Sequence, residues 1–215
     1  MPEKPTILSL LGVGDTAPEE KVYGGGAFGR QSVSDLKDWG TPPHFIAALL
    51  KLFPNGIDLD PCSNQHSLVP SRVNYALPET DGLRSTWNYP VVYVNPPYGR
   101  DPQRGTTIKD WVWKCQASHE RYGSEVVALI PVATNTAHWK EFIWGKAAAI
   151  CFVAAPRFKF YLGGREHTKG APMAVAAVYW GARSRDFLEV FKGLGAVVIG
   201  ASTSPASEPM LVFRR

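Results

Sequence analysis

The stretch VYVNPPYGR, residues 92–100, ends an apolar, largely β-branched run with a polar amide, two prolines and a large aromatic ring. Pro96 and Pro97 carry no N–H and hold φ near about −65°, so the chain has a fixed shape here. A fixed shape can aim acceptors. The side-chain oxygen of Asn95 and the carbonyl of Pro96 suit the two hydrogens of one planar NH2 group. Holding those hydrogens out of the ring plane localises the nitrogen lone pair and points it at an electrophile. This is positioning and electrostatic stabilisation, because a neutral amide is no base near neutral pH. Tyr98 adds a π-face for a planar substrate, a contact worth about 1–3 kcal/mol for a nucleic-acid base. The plainer alternative is a strand exit made of common turn residues, with Tyr98 packing. Position favours chemistry. A second unusual loop, Asp60-Pro61-Cys62, also follows a short strand, and in a parallel sheet ligands bind beyond the carboxyl ends of the strands.

The elements that must hold these loops are readable from pattern. TPPHFIAALLKLF predicts a helix with Thr41 as N-cap and Phe45, Leu49 and Phe53 at helical spacing, stopped by Pro-Asn-Gly at 54–56. IDLDPC is a strand running into a loop, RVNYAL (72–77) a second strand, and VVYVN (91–95) a third. IKDWVWKCQASHERYG (108–123) predicts a helix ended by Gly123, with Trp111 and Cys115 on one face. EVVALIPV (125–132), AAICFVAAP (148–156), APMAVAAVYW (171–180), GAVVIGA and MLVF read as further strands, and TAHWKEFIWG (136–145) and RDFLEVFKGLG (185–195) as helices. Continuous apolar strands alternating with helices indicate an α/β fold, a parallel sheet covered on both faces, with the late strands expected as antiparallel edges. Residues 1–35, rich in Gly, Pro, Ser and charge, are expected to be a flexible arm, and residues 36–215 one domain. Trp111, Trp113, Trp139 and Trp144 are expected in the core or in helix packing.

Composition narrows the class. The chain has 215 residues, 45% hydrophobic and 20% charged, with net charge +4 and pI about 9.0, mildly suited to a polyanionic partner. Cys62, Cys115 and Cys151 are odd in number and far apart, and residues 1–11 lack the pattern of a signal peptide. A reduced, cytoplasmic protein is the expectation. Cys and His never cluster at ligand spacing, so no metal site is expected. The longest apolar runs are about half of what a bilayer needs, so no membrane helix is expected either.

With these pieces in place, NPPY resembles the catalytic motif of amino-methyltransferases that use S-adenosylmethionine. The surrounding text resembles more closely still one family, the phage-type DNA N6-adenine methyltransferases, the phage Dam family. WGTPPHF (39–45), DLDPCSN (58–64), DGLRSTW (81–87), VYVNPPYG (92–99) and PRFKF (156–160) carry the resemblance, which covers about residues 38–182. It implies a Rossmann-like, S-adenosylmethionine-dependent methyltransferase fold and transfer of a methyl group to the N6 amino group of adenine in DNA. The target base would flip out of the duplex. It also implies a phage or prophage origin.

By the same resemblance, Asp60, Pro61 and Cys62 form the first cofactor motif, the Asp60 carboxylate accepting from the ammonium of S-adenosylmethionine. Trp39, Thr41 and Pro42 close over its methionine end, and Asp81 lies near its adenine or ribose, with Glu79 a competitor for the ribose hydroxyls. For DNA, the basic candidates are Arg100 and Arg104 in one loop, Arg157 and Lys159 around Phe158, and Arg165 and Lys169 in another loop. Arg157 and Lys159 read equally well as the polar side of an extended segment whose Phe158 and Phe160 pack inward. The interval between Asp60 and Asn95 is too short for a separate recognition domain, so a short or relaxed recognition site is expected. A protein-glutamine methyltransferase, a cytosine-N4 methyltransferase and a non-catalytic DNA-binding relic of the fold stay open as alternatives.

Overall fold

A computed structural model describes residues 39–154 and 157–200. The expected N-terminal arm and the MLVF strand lie outside the described residues. Among the described residues fourteen elements follow one another: β1 (Trp39–Gly40), α1 (Pro43–Leu52), β2 (Ile57–Asp60), β3 (Ser71–Asn74), β4 (Val91–Val94), α2 (Ile108–Tyr122), β5 (Glu125–Pro131), α3 (Ala137–Phe142), β6 (Ala149–Val153), β7 (Tyr161–Leu162), β8 (Arg165–Glu166), β9 (Val175–Trp180), α4 (Ser184–Phe191) and β10 (Gly195–Ile199).

The long sheet has the order β10-β6-β9-β5-β4-β2-β3. Strands β3, β2, β4 and β5 run parallel, while β9 is antiparallel to both of its neighbours, β5 and β6. One expectation is corrected here. Of the two late strands among the described residues, β10 is an antiparallel edge, but β9 lies inside the sheet. Its six residues are all buried and paired on both sides, which an uninterrupted apolar run allows and an edge would waste.

Side chains alternate across the sheet with period two, and each set meets helices. Tyr93, Val127, Leu129 and Tyr179 face the side of α1 and α4, with Phe45, Leu49, Phe187 and Phe191. Val92, Val94, Val126, Ala128 and Ile130 face the other side, with Trp111, Val112 and Cys115 of α2 and Trp139 of α3. Each fully buried side chain of this kind contributes about 1.5–3 kcal/mol. Trp113 corrects a second expectation: it is 53% exposed, because two residues on from Trp111 is the opposite side of α2. Trp144 is 40% exposed yet packs on Trp139 at 5.3 Å.

The helices begin and end for identifiable reasons. Asp110 accepts the Thr107 N–H at 2.7 Å, a capping-box contact at the start of α2, and Gly123 at φ +69° closes it. Thr41 does not cap α1. The cap is Pro42, whose carbonyl accepts from Phe45 and Ile46, and the Thr41 hydroxyl is used elsewhere. Asp58 stitches the amino ends of the site strands: it pairs with Arg72 of β3 and accepts the Val91 N–H at 3.0 Å.

A small second sheet has the order β1-β7-β8. Gly163 and Gly164, both at positive φ, turn β7 into β8 as a two-residue hairpin. No helix among the described residues is long and apolar enough to cross a membrane.

Candidate active site

Strands β2 and β4 are adjacent and parallel, with Leu59 opposite Val92. From β2 the chain proceeds to β3 on one side, and from β4 through α2 to β5 on the other. That reversal leaves a crevice at the carboxyl ends of the two strands. Asp60 is the last residue of β2 and Asn95 follows the last residue of β4, so the two loops singled out in the sequence meet there. The crevice is a solvent-open cleft of about 470 Å³, lined among others by Trp39, Thr41, Asp60, Cys62 and residues 95–98. A second cleft of about 780 Å³ shares Cys62, Asn64 and Pro97 with it and is walled by Tyr75, Leu77, Gly82 and Trp111.

The amide of Asn95 is held from behind. Its Nδ2 donates to the Trp39 carbonyl at 2.7 Å and to Thr41 Oγ1 at 3.4 Å. Both amide protons are thereby used, which leaves Oδ1 as the acceptor available to the cleft. The Tyr98 hydroxyl reaches Oδ1 at 3.3 Å and the Leu129 carbonyl at 3.2 Å, so its one proton is shared and Oδ1 keeps a free lone pair. Tyr98 stands edge-on to Trp39 (6.4 Å, 87°) and Phe160 (5.9 Å, 70°), and Trp39 stacks on Phe160 at 4.8 Å. These three rings form an aromatic wall beside the amide.

Asp60 is 4% exposed and has no cationic partner among the described residues. Burial pushes its carboxyl up to about 7, only partly offset by the Cys62 N–H at 3.1 Å and the Ser67 hydroxyl at 3.4 Å. The Cys62 thiol is pushed well up by burial and by the neighbouring Asp60, so it stays a neutral lining group. No cluster of metal-binding side chains occurs among the described residues.

The family model for DNA N-6-adenine-methyltransferase (Dam) matches residues 29–183. The chain belongs to the Dam family. No curated protein and no solved structure matches it. The span agrees with the one that the motifs outlined, and in this Dam-family chain Asn95, Asp60, Trp39 and Thr41 all converge on one cleft.

Other candidate residues of this Dam-family protein are placed less simply. Asp81 accepts the Leu83 N–H at 2.9 Å within its own turn and lies 3.7 Å from Arg84 and 3.9 Å from Arg104. Neither Asp81 nor Glu79 lines the second cleft, although Thr80 and Gly82 do. Arg104 turns inward: it pairs with Asp101 at 2.8 Å and lines that cleft. Lys159 bonds Glu166 at 2.7 Å across the β7–β8 hairpin, and Phe158 and Phe160 pack inward as the packing alternative has it. Arg100, Arg157, Arg165 and Lys169 are exposed and without an ion pair among the described residues.

Gly82 is a site residue that sequence reasoning took only for part of a turn. A Cβ there would lie 1.7 Å from the Pro61 carbonyl oxygen, so only glycine lets the 81–87 turn rest on the Asp60-Pro61-Cys62 loop. Gly82→Ala is therefore expected to cost at least about 2 kcal/mol, read from urea unfolding midpoints. An unchanged midpoint would show that the two loops separate freely.

Proposed function

We propose that the protein transfers a methyl group from S-adenosylmethionine to the N6 amino group of adenine in DNA, with the target base turned out of the duplex. The observation that carries this reading is the orientation of Asn95. Its two N–H groups are anchored on Trp39 and Thr41, so the cleft is offered a carbonyl oxygen, the group that suits an arriving NH2. Asn95 Oδ1 and the Pro96 carbonyl accept hydrogen bonds from the two N6 hydrogens, draw the nitrogen lone pair out of conjugation and aim it along the cleft; the N–CH3 bond would form as the S–CH3 bond breaks, and the N6 proton would then pass to water in the open cleft. Tyr98 and the aromatic wall bound the flat ring. A base in a stacked duplex cannot enter a crevice at strand ends, hence the flip.

The residues present fit the cofactor. Asp60 is a buried carboxyl lacking a cation among the described residues, which matches the ammonium of the amino-acid end. The second cleft, with Tyr75, Leu77 and Trp111, matches the flat adenine ring. When bound, S-adenosylmethionine supplies a methyl group on a positively charged sulfur. The strand order and its reversal at β2 and β4 support reading the domain as the Rossmann-like fold of such enzymes.

The test is direct. Unmethylated DNA is incubated with the protein and isotopically methyl-labelled S-adenosylmethionine, then digested to nucleosides for mass spectrometry. Labelled N6-methyladenine is the expected product. Label on cytosine would change the target base and keep the chemistry, whereas no label on DNA despite measurable cofactor binding would overturn the reading.

The hairpin β7–β8 and the segment that follows it supply the DNA-facing charge in this proposal. The hairpin is tied to the site, since β7 pairs with β1 and the β1 carbonyl of Trp39 holds Asn95. Replacing Arg165 and Lys169 together by Ala is expected to weaken DNA binding and to lower the slope of log affinity against log salt by about 2. Cofactor affinity should stay unchanged. A slope equal to wild type would remove the hairpin from the DNA interface.

A further inference from the structure

We infer that Tyr93 is a positioning residue for Asn95, acting through the hydroxyl of Thr41; the inference rests on the catalytic role proposed above for Asn95. Tyr93 is the third residue of β4, fully buried on the α1 side of the sheet. Its hydroxyl lies 2.7 Å from Thr41 Oγ1, its only hydrogen-bond partner among the described residues. A tyrosine in the middle of a packed strand, two residues before the amide, would serve packing alone equally well as phenylalanine. Its oxygen therefore calls for an explanation.

Counting protons supplies one. A hydroxyl offers one proton and two lone pairs. Were Thr41 to donate to Tyr93, the proton of the wholly buried Tyr93 would be left without an acceptor, at a cost of about 1–3 kcal/mol, whereas the Thr41 proton can turn to the solvent-open cleft that Thr41 lines. Tyr93 therefore donates to Thr41. Burial holds the Tyr93 hydroxyl well above its ordinary range of ionisation, so it keeps that proton at every working pH. Asn95 Nδ2 also donates to Thr41, at 3.4 Å. Both lone pairs of Thr41 are then filled, and its own proton is turned away from Asn95.

The consequence is a fixed sense for the amide. Without the Tyr93 oxygen, the Thr41 hydroxyl is free to rotate and donate toward Asn95. Only the Trp39 carbonyl then opposes a flip of the amide, so the form that presents NH2 to the cleft is less strongly disfavoured. An NH2 facing the N6 hydrogens of adenine is donor against donor, which is the wrong polarity for the proposed step. Tyr93 thus reinforces, through Thr41, the sense that the Trp39 carbonyl sets for Asn95, without touching substrate.

Tyr93→Phe removes one oxygen and leaves the ring. It is expected to lower kcat about tenfold with little change in the KM for DNA, and Thr41→Val should do the same. The double variant should be no slower than either single one, because both cut the same relay. Thr41→Ser, which keeps the hydroxyl, should recover most of the kcat that Thr41→Val loses. A second readout does not depend on turnover: the side-chain NH2 resonances of Asn95, identified by their loss in Asn95→Ala, should exchange with solvent at least tenfold faster in Tyr93→Phe. Unchanged exchange together with unchanged kcat, or fully additive effects of the two variants, would overturn the relay. If the wild type places no label on DNA, the functional reading fails while the exchange measurement still decides the positioning claim. Should Tyr93→Phe not fold, the Thr41→Val and Thr41→Ser pair makes the same comparison.

Discussion

Asn95→Ala is expected to slow methyl transfer by about 10²–10³-fold while leaving a folded protein that still binds cofactor. On the proposed reading, the loss follows from removing one of two fixed acceptors at the point where charge develops on the target nitrogen. The fold should survive because the amide is tied to one backbone carbonyl and one hydroxyl, at Trp39 and Thr41, rather than to the sheet interior. Losing those bonds costs about 1–2 kcal/mol, a fall of several degrees in Tm. The Tyr98 hydroxyl keeps its second acceptor, the Leu129 carbonyl at 3.2 Å. Single-turnover transfer of labelled methyl, cofactor titration and a thermal melt separate these terms. A rate near wild type would remove Asn95 from the reaction. Asn95→Asp makes a sharper version: it keeps one oxygen for the cleft but turns the other toward the Trp39 carbonyl, where two acceptors repel. Its activity should be low at alkaline pH and rise as the pH falls and the carboxyl takes up a proton.

How the site is built explains which parts were legible in the sequence. The strand ending in Asp60 shows as alternating Ile-Asp-Leu-Asp before Pro61, the one before Asn95 as an apolar run before Pro-Pro, and the two are found with those ends side by side. A strand end is a local property, set by β-branched residues before it and by proline after it. The partners behind Asn95 are not local. Trp39 lies 56 positions away, and it is in place because β1 pairs with β7 more than 120 residues along the chain. Nothing in the text near residue 39 specifies that pairing. Thr41 was legible as polar and next to a helix start, which suggests a cap; its bond to Tyr93 comes from the packing of α1 on the sheet.

The turn around Arg104 was hidden in a related way. Arg104 stands in a Gly- and Pro-rich basic stretch that reads as a solvated loop, yet Asp101 organises that stretch into a turn, accepting from the Gln103 and Arg104 N–H groups at 3.1 and 3.2 Å. A buried aspartate two or three residues away is the only sequence sign of such a turn, and DPQRG carries it. The interior position of β9 was equally hidden, since an apolar run states that a strand is buried without stating its direction.

Asp60 should make both cofactor binding and stability depend on pH, in opposite senses. Its carboxyl sits at about 7 because burial penalises the charged form, and no cation among the described residues relieves it. An ammonium arriving in the cleft supplies that relief, so binding on the proposed reading needs the ionised carboxyl. The Kd for S-adenosylmethionine is expected to rise about tenfold from pH 8 to pH 6, as one proton competes for the site. Stability runs the other way. The folded-state value lies above the unfolded one, 3.8, so the folded protein holds the proton more tightly. Stability contributed by the protonated form is full below 3.8 and is lost as the pH rises through about 7. Asp60→Asn removes this loss and keeps an oxygen for the Cys62 N–H. The variant should melt several degrees higher than wild type at pH 8 and show a smaller gain at pH 5. At pH 8 it should also bind S-adenosylmethionine at least about 100-fold more weakly, a buried charged pair having lost one member. Isothermal titration and thermal melts at the two pH values decide it. A Kd that stays flat between pH 6 and pH 8, or an Asp60→Asn protein less stable than wild type at pH 8, would mean that the carboxyl is already paired and that the ammonium is held elsewhere.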